Sequence, residues 1–353
     1  MDLLLKDYHP VSHLVAPEHP RPRAKFPVVD YHMHLLPGQM SMAELAAGMR
    51  AAGVLAGVNL AMSAANGGKT GAWDQAYADT LKLTCDAPDT FLHFSSVDVE
   101  AVDAPDFAAR SVAQVVDAYQ MGSRGLKFYK QFGLSYRDRQ GRLVEPDDPR
   151  YRPMFEAAGS LGMPVTIHVA DPAAFFDPLD GSNERYEELS SHPGWSFVQH
   201  GPEGYRHLLR VQERMLAANP HTTFVIAHVA SASEDLDYVR RLLDTYPNLY
   251  VDIAARISEL GRRPYAARRF LIDYADRILF GTDNIMSGGE PYPYYFRFLE
   301  TDDEYFPYAP TYGQGRWNIY GVSLPDEALK KIYYQNACRL APALRELLPA
   351  GLD

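Results

Sequence analysis

The sequence predicts an α/β fold, a (β/α)8 barrel of the TIM type, as a single domain over residues 26–347. Three observations carry this expectation. Eight short apolar runs, rich in β-branched residues, alternate with stretches of helical periodicity. Polar residues of metal-ligand type recur at the C-terminal ends of those runs, the face on which such barrels build their sites. The first strand–helix turn has no glycine-rich phosphate loop, which the competing doubly wound sheet would carry.

The chain has 353 residues and opens with 1–25, rich in Pro and His and without periodicity, an arm lying on the body. Strands are expected at 26–31, 57–62, 91–97, 124–129, 164–169, 223–228, 248–253 and 278–282. Ser41-Met42-Ala43-Glu44 is a capping box that opens a helix running to Ala52, and Gly53 closes it. Asp103 to Gln120 places Phe107, Val112, Val115, Val116 and Tyr119 at helical spacing. Asp148-Pro149 starts the next helix and Gly162 ends it before the fifth strand. Helices over 202–218, 233–246, 263–274 and 326–347 complete the alternation, leaving 348–353 as a tail. Gly67-Gly68-Lys69-Thr70 lacks the leading glycine of a phosphate-binding loop and reads as a flexible connection.

Composition excludes several classes of function. The formal net charge is −11 and no basic stripe is present, which argues against a nucleic-acid partner. Arg262, Arg263, Arg268 and Arg269 cluster, but Asp273 and Asp276 follow them, as on a solvated helix face. Cys85 and Cys338 fall in helical stretches and are too few for a disulfide framework or a cysteine zinc site. They read as two buried thiols in a reducing compartment. Met1 to Asp7 has no positive n-region, and no stretch reaches the roughly 20 apolar residues of a membrane span. The expectation is a cytoplasmic protein acting on a small molecule, with no nucleic-acid or membrane partner.

His32 and His34 end the first strand in Val28-Val29-Asp30-Tyr31-His32-Met33-His34. Side chains alternate along a strand, so the two imidazoles share a face and can hold one cation between them. His168 ends the fifth strand, His228 the sixth and Asp283 the eighth, and Lys127 lies in the fourth. The barrel core wants Val, Ile and Leu, so these polar groups need partners, and a metal would satisfy them together.

This ordered set resembles the metal-dependent amidohydrolase superfamily, and most closely its amidohydrolase-related branch of hydrolases, lactonases and non-oxidative decarboxylases. Local signatures agree: Val29-Asp30-Tyr31-His32-Met33-His34, Gly281-Thr282-Asp283, and Tyr334-Gln335-Asn336-Ala337 followed by Arg339-Leu340. The resemblance runs from about Phe26 to Leu340. It implies His32, His34, His168 and Asp283 as ligands of one divalent metal, with Asp283 also the general acid or base. Three imidazoles and a carboxylate suit Zn²⁺, and Mn²⁺ suits a chelating, oxygen-rich substrate. In binuclear members a carboxylated lysine on strand four bridges two metals and the strand-six histidine binds the second. Lys127 and His228 stand at those positions. In mononuclear members the strand-six histidine binds substrate or relays protons. Lys127 would then be an ammonium clamping an anionic substrate. One metal with Lys127 as clamp is the expectation, and a second metal on a carboxylated Lys127 is the alternative.

Two long connections should carry specificity. Residues 170–202 hold Phe175, Phe176, Tyr186 and Trp195, and residues 284–322 hold Tyr292, Tyr294, Arg297 and Tyr312. Both leave the active-site face by topology, so Phe176, Tyr186, Trp195, Tyr292 and Arg297 are expected at the pocket rim beside Lys127 and His228. So many aromatics would serve equally as a subunit interface in a homo-oligomer. Three functions compete. The first is hydrolysis of a small carboxylate-bearing ester, lactone or amide, with Asp283 as base and His228 or Lys127 on the oxyanion. The second is decarboxylation of an aromatic or unsaturated acid, with Asp283 delivering a proton to carbon. The third is an inert barrel used for assembly, against which the intact ligand set speaks.

Overall fold

Eight parallel strands make the centre of the molecule: β1 (Val28–His34), β2 (Val54–Asn59), β3 (Phe91–His93), β4 (Leu126–Phe128), β5 (Val165–Ile167), β6 (Phe224–Ile226), β7 (Leu249–Asp252) and β8 (Ile278–Leu279). Ladders join β3-β2-β1 in one sheet and β4-β5-β6-β7-β8 in another. Two further sets of hydrogen bonds join these sheets. Ser95, just past β3, donates its N–H to the Gly125 carbonyl at 2.9 Å and accepts from the Lys127 N–H at 2.7 Å. At the other seam the Tyr31 N–H donates to the Phe280 carbonyl at 3.0 Å, and the Asp283 N–H to the His32 carbonyl at 2.7 Å. The strands thus close in sequence order into the expected (β/α)8 barrel. The computed structural model describes residues 3–4, 7–8, 10–35, 40–60, 73–285, 291–308 and 314–352. Gly67-Gly68-Lys69-Thr70 and Tyr312 lie outside them.

The helices cover the barrel with faces set by their apolar spacing. Helix Met42–Ala51 begins with the capping box: Glu44 N–H donates to Ser41 Oγ at 3.2 Å, and Ser41 N–H to Glu44 Oε2 at 3.0 Å. Two orphan donors of the first turn are thereby satisfied, a stabilisation of about 1 kcal/mol. Helix Phe107–Gln120 buries Phe107, Ser111, Val115 and Ala118. Tyr119 is exposed instead of inward, with the Arg124 guanidinium 4.8 Å over its ring. Helix Leu236–Thr245 buries Leu236, Val239, Leu242 and Leu243, each worth about 1.5–3 kcal/mol when removed from water.

Several expectations are corrected. Strands β3 to β8 are shorter than the expected runs, whereas β1 begins two residues later than expected and reaches His34, and β2 lies three residues earlier than expected. The helical stretch expected around Cys85 is helix Trp73–Leu83, which ends before it, and helix Tyr292–Glu300 inside the last long connection was not anticipated. Cys85 lies beyond the helix end and is exposed, so only Cys338 is a buried thiol. The terminal helix is interrupted: Asp326–Lys330 passes through a π-helical turn, Lys331–Gln335, into Asn336–Leu340. The turn sets Asn336 inward, where its Nδ2 donates to the carbonyls of Ala275 and Ile278, both at 2.7 Å. Tyr334-Gln335-Asn336-Ala337 is thus a clasp on the start of β8.

The N-terminal segment runs over the surface without helix or strand from Pro10 to Pro27. It is held at a few points, among them His19 N–H on Asp303 Oδ2 at 2.7 Å and Lys25 N–H on Glu300 Oε1 at 2.9 Å.

Candidate metal centre

The strand ends of β1, β6, β7 and β8 meet at one point. His32 Nε2 lies 3.4 Å and His34 Nε2 3.0 Å from Asp283 Oδ1. His228 Nε2 lies 3.9 Å from Asp283 Oδ2. Lys127 Nζ, on β4, lies 3.4 Å from His32 Nε2. Two features of the backbone permit this approach. Gly281 leaves room where β8 passes β1, since a Cβ there would lie 2.8 Å from His32 Cβ. Asp283 takes a left-handed φ of 60°, which turns its carboxylate into the barrel mouth.

The partners of each imidazole fix its tautomer. His32 Nδ1–H donates to Asp252 Oδ2 at 2.8 Å, and His228 Nδ1–H donates to the Ala254 carbonyl at 2.8 Å. Tyr129 gives its hydroxyl proton to the Leu60 carbonyl, so toward His34 Nδ1, 3.4 Å away, its oxygen accepts. Every Nδ1 is therefore a donor, and every Nε2 presents a lone pair to the centre. Lone pairs of His32 and His34 face a carboxylate oxygen at 3.0–3.4 Å. Acceptors facing one another are satisfied by a proton or a metal cation between them. His32, His34 and Asp283 accordingly form a group able to hold a metal ion.

Burial and charge act on these groups in opposite senses. Burial lowers the His34 imidazole and drives His228 well below its usual range, so both rest neutral, as metal ligands and proton acceptors must. Burial alone would raise Asp283, but positive charge at His32 and His34 holds its carboxylate well below the usual range, a role that a bound cation would take over from neutral imidazoles. Burial lowers Lys127 to about 8, against the attraction of Asp283 and Asp252.

His168 stands apart from the tight group. Its ring centroid is 4.4 Å from that of His228, but Nε2 is turned toward Asp171 Oδ1 at 3.3 Å. That contact lacks hydrogen-bond geometry, and among the described residues the buried Nε2 has no hydrogen-bond partner. Burial lowers His168 to about 4, which leaves a neutral, orphaned donor atom beside the centre.

His228 opens a run of four consecutive non-glycine residues with positive φ: 60°, 56°, 55° and 57° through Ser231. Left-handed backbone costs roughly 1–2 kcal/mol per residue. Specific bonds offset it. His228 N–H donates to Asp252 Oδ1 at 2.8 Å, Gln212 Nε2 to the Ala230 carbonyl at 3.0 Å, and Tyr205 Oη to the Ser231 carbonyl at 2.9 Å. Asp252 thus orients His32 and His228 together. It was missed, although Leu249-Tyr250-Val251-Asp252 has the same form, an apolar run ending in a ligand type, that singled out the other strand ends.

Above the centre opens a cavity of about 520 Å³. His168, His228 and Asp283 reach it from the floor; Phe175 and Trp195 line it from the first long connection, and Tyr294 and Tyr295 from the second. Other expected rim residues lie elsewhere. Phe176 is fully buried against Phe197 and Tyr205, leaving its neighbour Phe175 at the wall. Tyr186 is exposed and does not line the cavity. Tyr292 lies beneath the site, its hydroxyl donating to Asp30 Oδ2 at 3.0 Å. Arg297 is taken up by Asp303 at 2.6 Å and packs 4.1 Å over Phe306. Lys127 is 1% exposed and belongs to the floor, not to the cavity wall.

Comparison with known proteins agrees with this architecture. A family model described as Amidohydrolase matches residues 29–342, and the chain belongs to that family. It is an enzyme by that membership. No curated protein matches the sequence. Among solved structures, the 2,6-dihydroxybenzoate decarboxylase from Rhizobium is similar, with a TM-score of 0.55 at 16% identity over 90% of this chain and 99% of that one. The dihydroxybenzoic acid decarboxylase from Polaromonas, solved with bound manganese, gives 0.54 at 14% identity over 90% and 97%. Dihydroorotase from Campylobacter jejuni gives 0.51 at 16% identity over 92% and 86%. At these identities the likeness is one of fold.

Proposed function

We propose that this enzyme is a metal-dependent hydrolase of a small, carboxylate-bearing ester, lactone or amide. The observation that carries the reading is the convergence of His32 Nε2 and His34 Nε2 on Asp283 Oδ1, at 3.4 and 3.0 Å, on the floor of a substrate-sized cavity. In this reading His32, His34 and Asp283 hold one divalent cation, zinc in first place, and His168 would join them by turning its Nε2 from Asp171 toward the centre. Such a cation would supply ionised water at neutral pH and polarise a carbonyl. Asp283 is kept ionised and exposes Oδ2 toward His228, so it is placed to take a proton and later return it to the leaving group. His228 is neutral with its proton on Nδ1, so Nε2 receives a hydrogen bond or proton. That tautomer suits a proton relay with Asp283 better than the donor role toward an oxyanion anticipated from sequence.

Decarboxylation is the second reading, and the aromatic lining of Phe175, Trp195, Tyr294 and Tyr295 favours it. The Rhizobium and Polaromonas structures are decarboxylases of dihydroxybenzoates, planar acids of the size such a wall accepts. There a protonated Asp283 would deliver its proton to a ring carbon. Zinc- and manganese-loaded enzyme should be assayed against carboxylate-bearing esters, lactones and amides, and against hydroxybenzoates with detection of CO₂. Acid release that needs the metal and vanishes in Asp283→Asn is the expected result. CO₂ release without hydrolysis would transfer the site to the second reading.

A further inference from the structure

The cavity contains three fixed cationic side chains besides its histidines, and two of them are already paired. Lys130 Nζ lies 2.5 Å from Asp171 Oδ2. Arg185 is fully buried between Glu188, at 2.9 Å, and Glu259. The third, Arg256, is 5% exposed and lines the same cavity. Among the described residues no carboxylate lies within ion-pair distance of it. Among those residues its side chain makes one hydrogen bond, from Nη1 to the carbonyl of its own neighbour Ala255 at 2.7 Å. A guanidinium carries five N–H donors in a planar fork, and burying such a charge without a counter-ion is costly.

We infer that Arg256 binds a carboxylate of the substrate, one that is not the group undergoing reaction. The inference rests on the reading of the floor as the reacting centre and adds the substrate's second anchor. Arg256 is rigidly tied to that centre. Ala254, two residues earlier, accepts from His228 Nδ1–H; Ala255 N–H donates to Tyr295 Oη at 2.8 Å, and Tyr295 Oη donates to the Thr282 carbonyl at 3.3 Å. The guanidinium, His228 and Asp283 are therefore set by adjoining backbone segments, so a substrate gripped at one end is registered at the other. The charge balance selects the ligand. Lys130 is balanced by Asp171, and Arg185 and Arg256 together by Glu188 and Glu259, so the wall has no surplus positive charge to hold a dianion, and what Arg256 offers is an unfilled guanidinium fork for a monoanion. A phosphate dianion would meet Asp171 and Glu188 in the same wall. Arg256 replaces Lys127 as clamp, since Lys127 does not reach the cavity wall.

The test is binding to metal-loaded enzyme, by calorimetry, of isophthalate and terephthalate, each compared with its own mono-amide. A charge-assisted bidentate contact should favour the dicarboxylate by at least about tenfold. Arg256→Met should remove that preference while the mono-amide binds as before, and Arg256→Lys should restore part of it. Equal affinity for acid and amide, binding of neither, or a preference surviving in Arg256→Met would overturn the inference. Failure of the metal centre reads differently, as absence of the ion from the wild-type protein before any probe is added.

Discussion

On the floor of the barrel, His32, His34, His228, Asp252 and Asp283 sit at the ends of four strands, each held by backbone or by a buried neighbour. In the cavity wall, Phe175, Trp195, Tyr294 and Arg256 come from three separate connections, with contacts that are mostly apolar or local. The floor is determined by strand register and by a few buried hydrogen bonds. A single change there breaks a shared network. The wall is an accretion of loops in which each residue contributes area and shape. The floor should therefore govern whether the reaction occurs, and the wall which molecule undergoes it.

The sharpest contrast is expected from Asp283→Asn. The amide keeps the shape and one oxygen but cannot serve as base, so turnover should fall by at least about 10²-fold in a folded protein that keeps much of its metal. His228→Ala should also lose activity, with metal content nearly unchanged. Near-normal turnover in Asp283→Asn would place the chemistry elsewhere in the barrel. Next comes Asp252→Asn, which disturbs the acceptor of both His32 Nδ1–H and His228 N–H. Its effect should be a loss of about 10–100-fold in metal affinity, read by competition with a chelating dye. An unchanged affinity would mean that His32 is oriented without it. On the wall, Trp195→Ala should raise KM several-fold with kcat within about threefold, because uniform binding is what it removes. A kcat collapse with normal KM would erase the distinction between wall and floor.

His93 sharpens the comparison from the other side. It is a strand-end histidine too, on β3, yet among the described residues it belongs to no candidate metal group. Its Nε2–H donates to Thr84 Oγ1 at 3.0 Å, and its Nδ1 faces Asn59 Nδ2 at 3.4 Å, so neither nitrogen offers a free lone pair. Burial pushes it down to about 4 from 6.5. Its contribution to stability is therefore complete above pH 6.5 and is lost as pH falls toward 4, on the order of 3 kcal/mol over that window. Denaturant unfolding at pH 7.5 and pH 4.5 should show a steeper decline in wild type than in His93→Phe. Equal declines would remove His93 as the cause.

The floor was largely legible in the sequence because strand ends are local. An apolar run fixes the strand, alternation fixes the face, and the residue after the run falls at the barrel mouth. His32, His34, His228 and Asp283 were found this way, and Asp252 could have been. What the pattern could not give was tautomer and aim. His168 looked equivalent to the others, but Asp171, three residues on, turns its Nε2 aside. Lys127 looked like a clamp because a lysine at a strand end has a long reach, yet its Nζ folds down onto His32. The wall was legible only as a composition. Phe175 and Phe176 are adjacent and alike in sequence, and a single 3-10 turn decides which of them faces the cavity. Arg297 looked free until Asp303 claimed it, whereas Arg256 gave no signal because being unpaired is a three-dimensional property.

The central claim is that His32, His34 and Asp283 hold a divalent cation on this floor, and metal stoichiometry of the purified chain tests it most directly. Elemental analysis of wild type and His34→Ala, each equilibrated with zinc and passed through a desalting column, should find one ion per chain in the first and substantially less than one in the second. No ion in the wild type, an unaltered content in His34→Ala, or two ions per chain bridged by a carboxylated Lys127 would contradict the single-cation account.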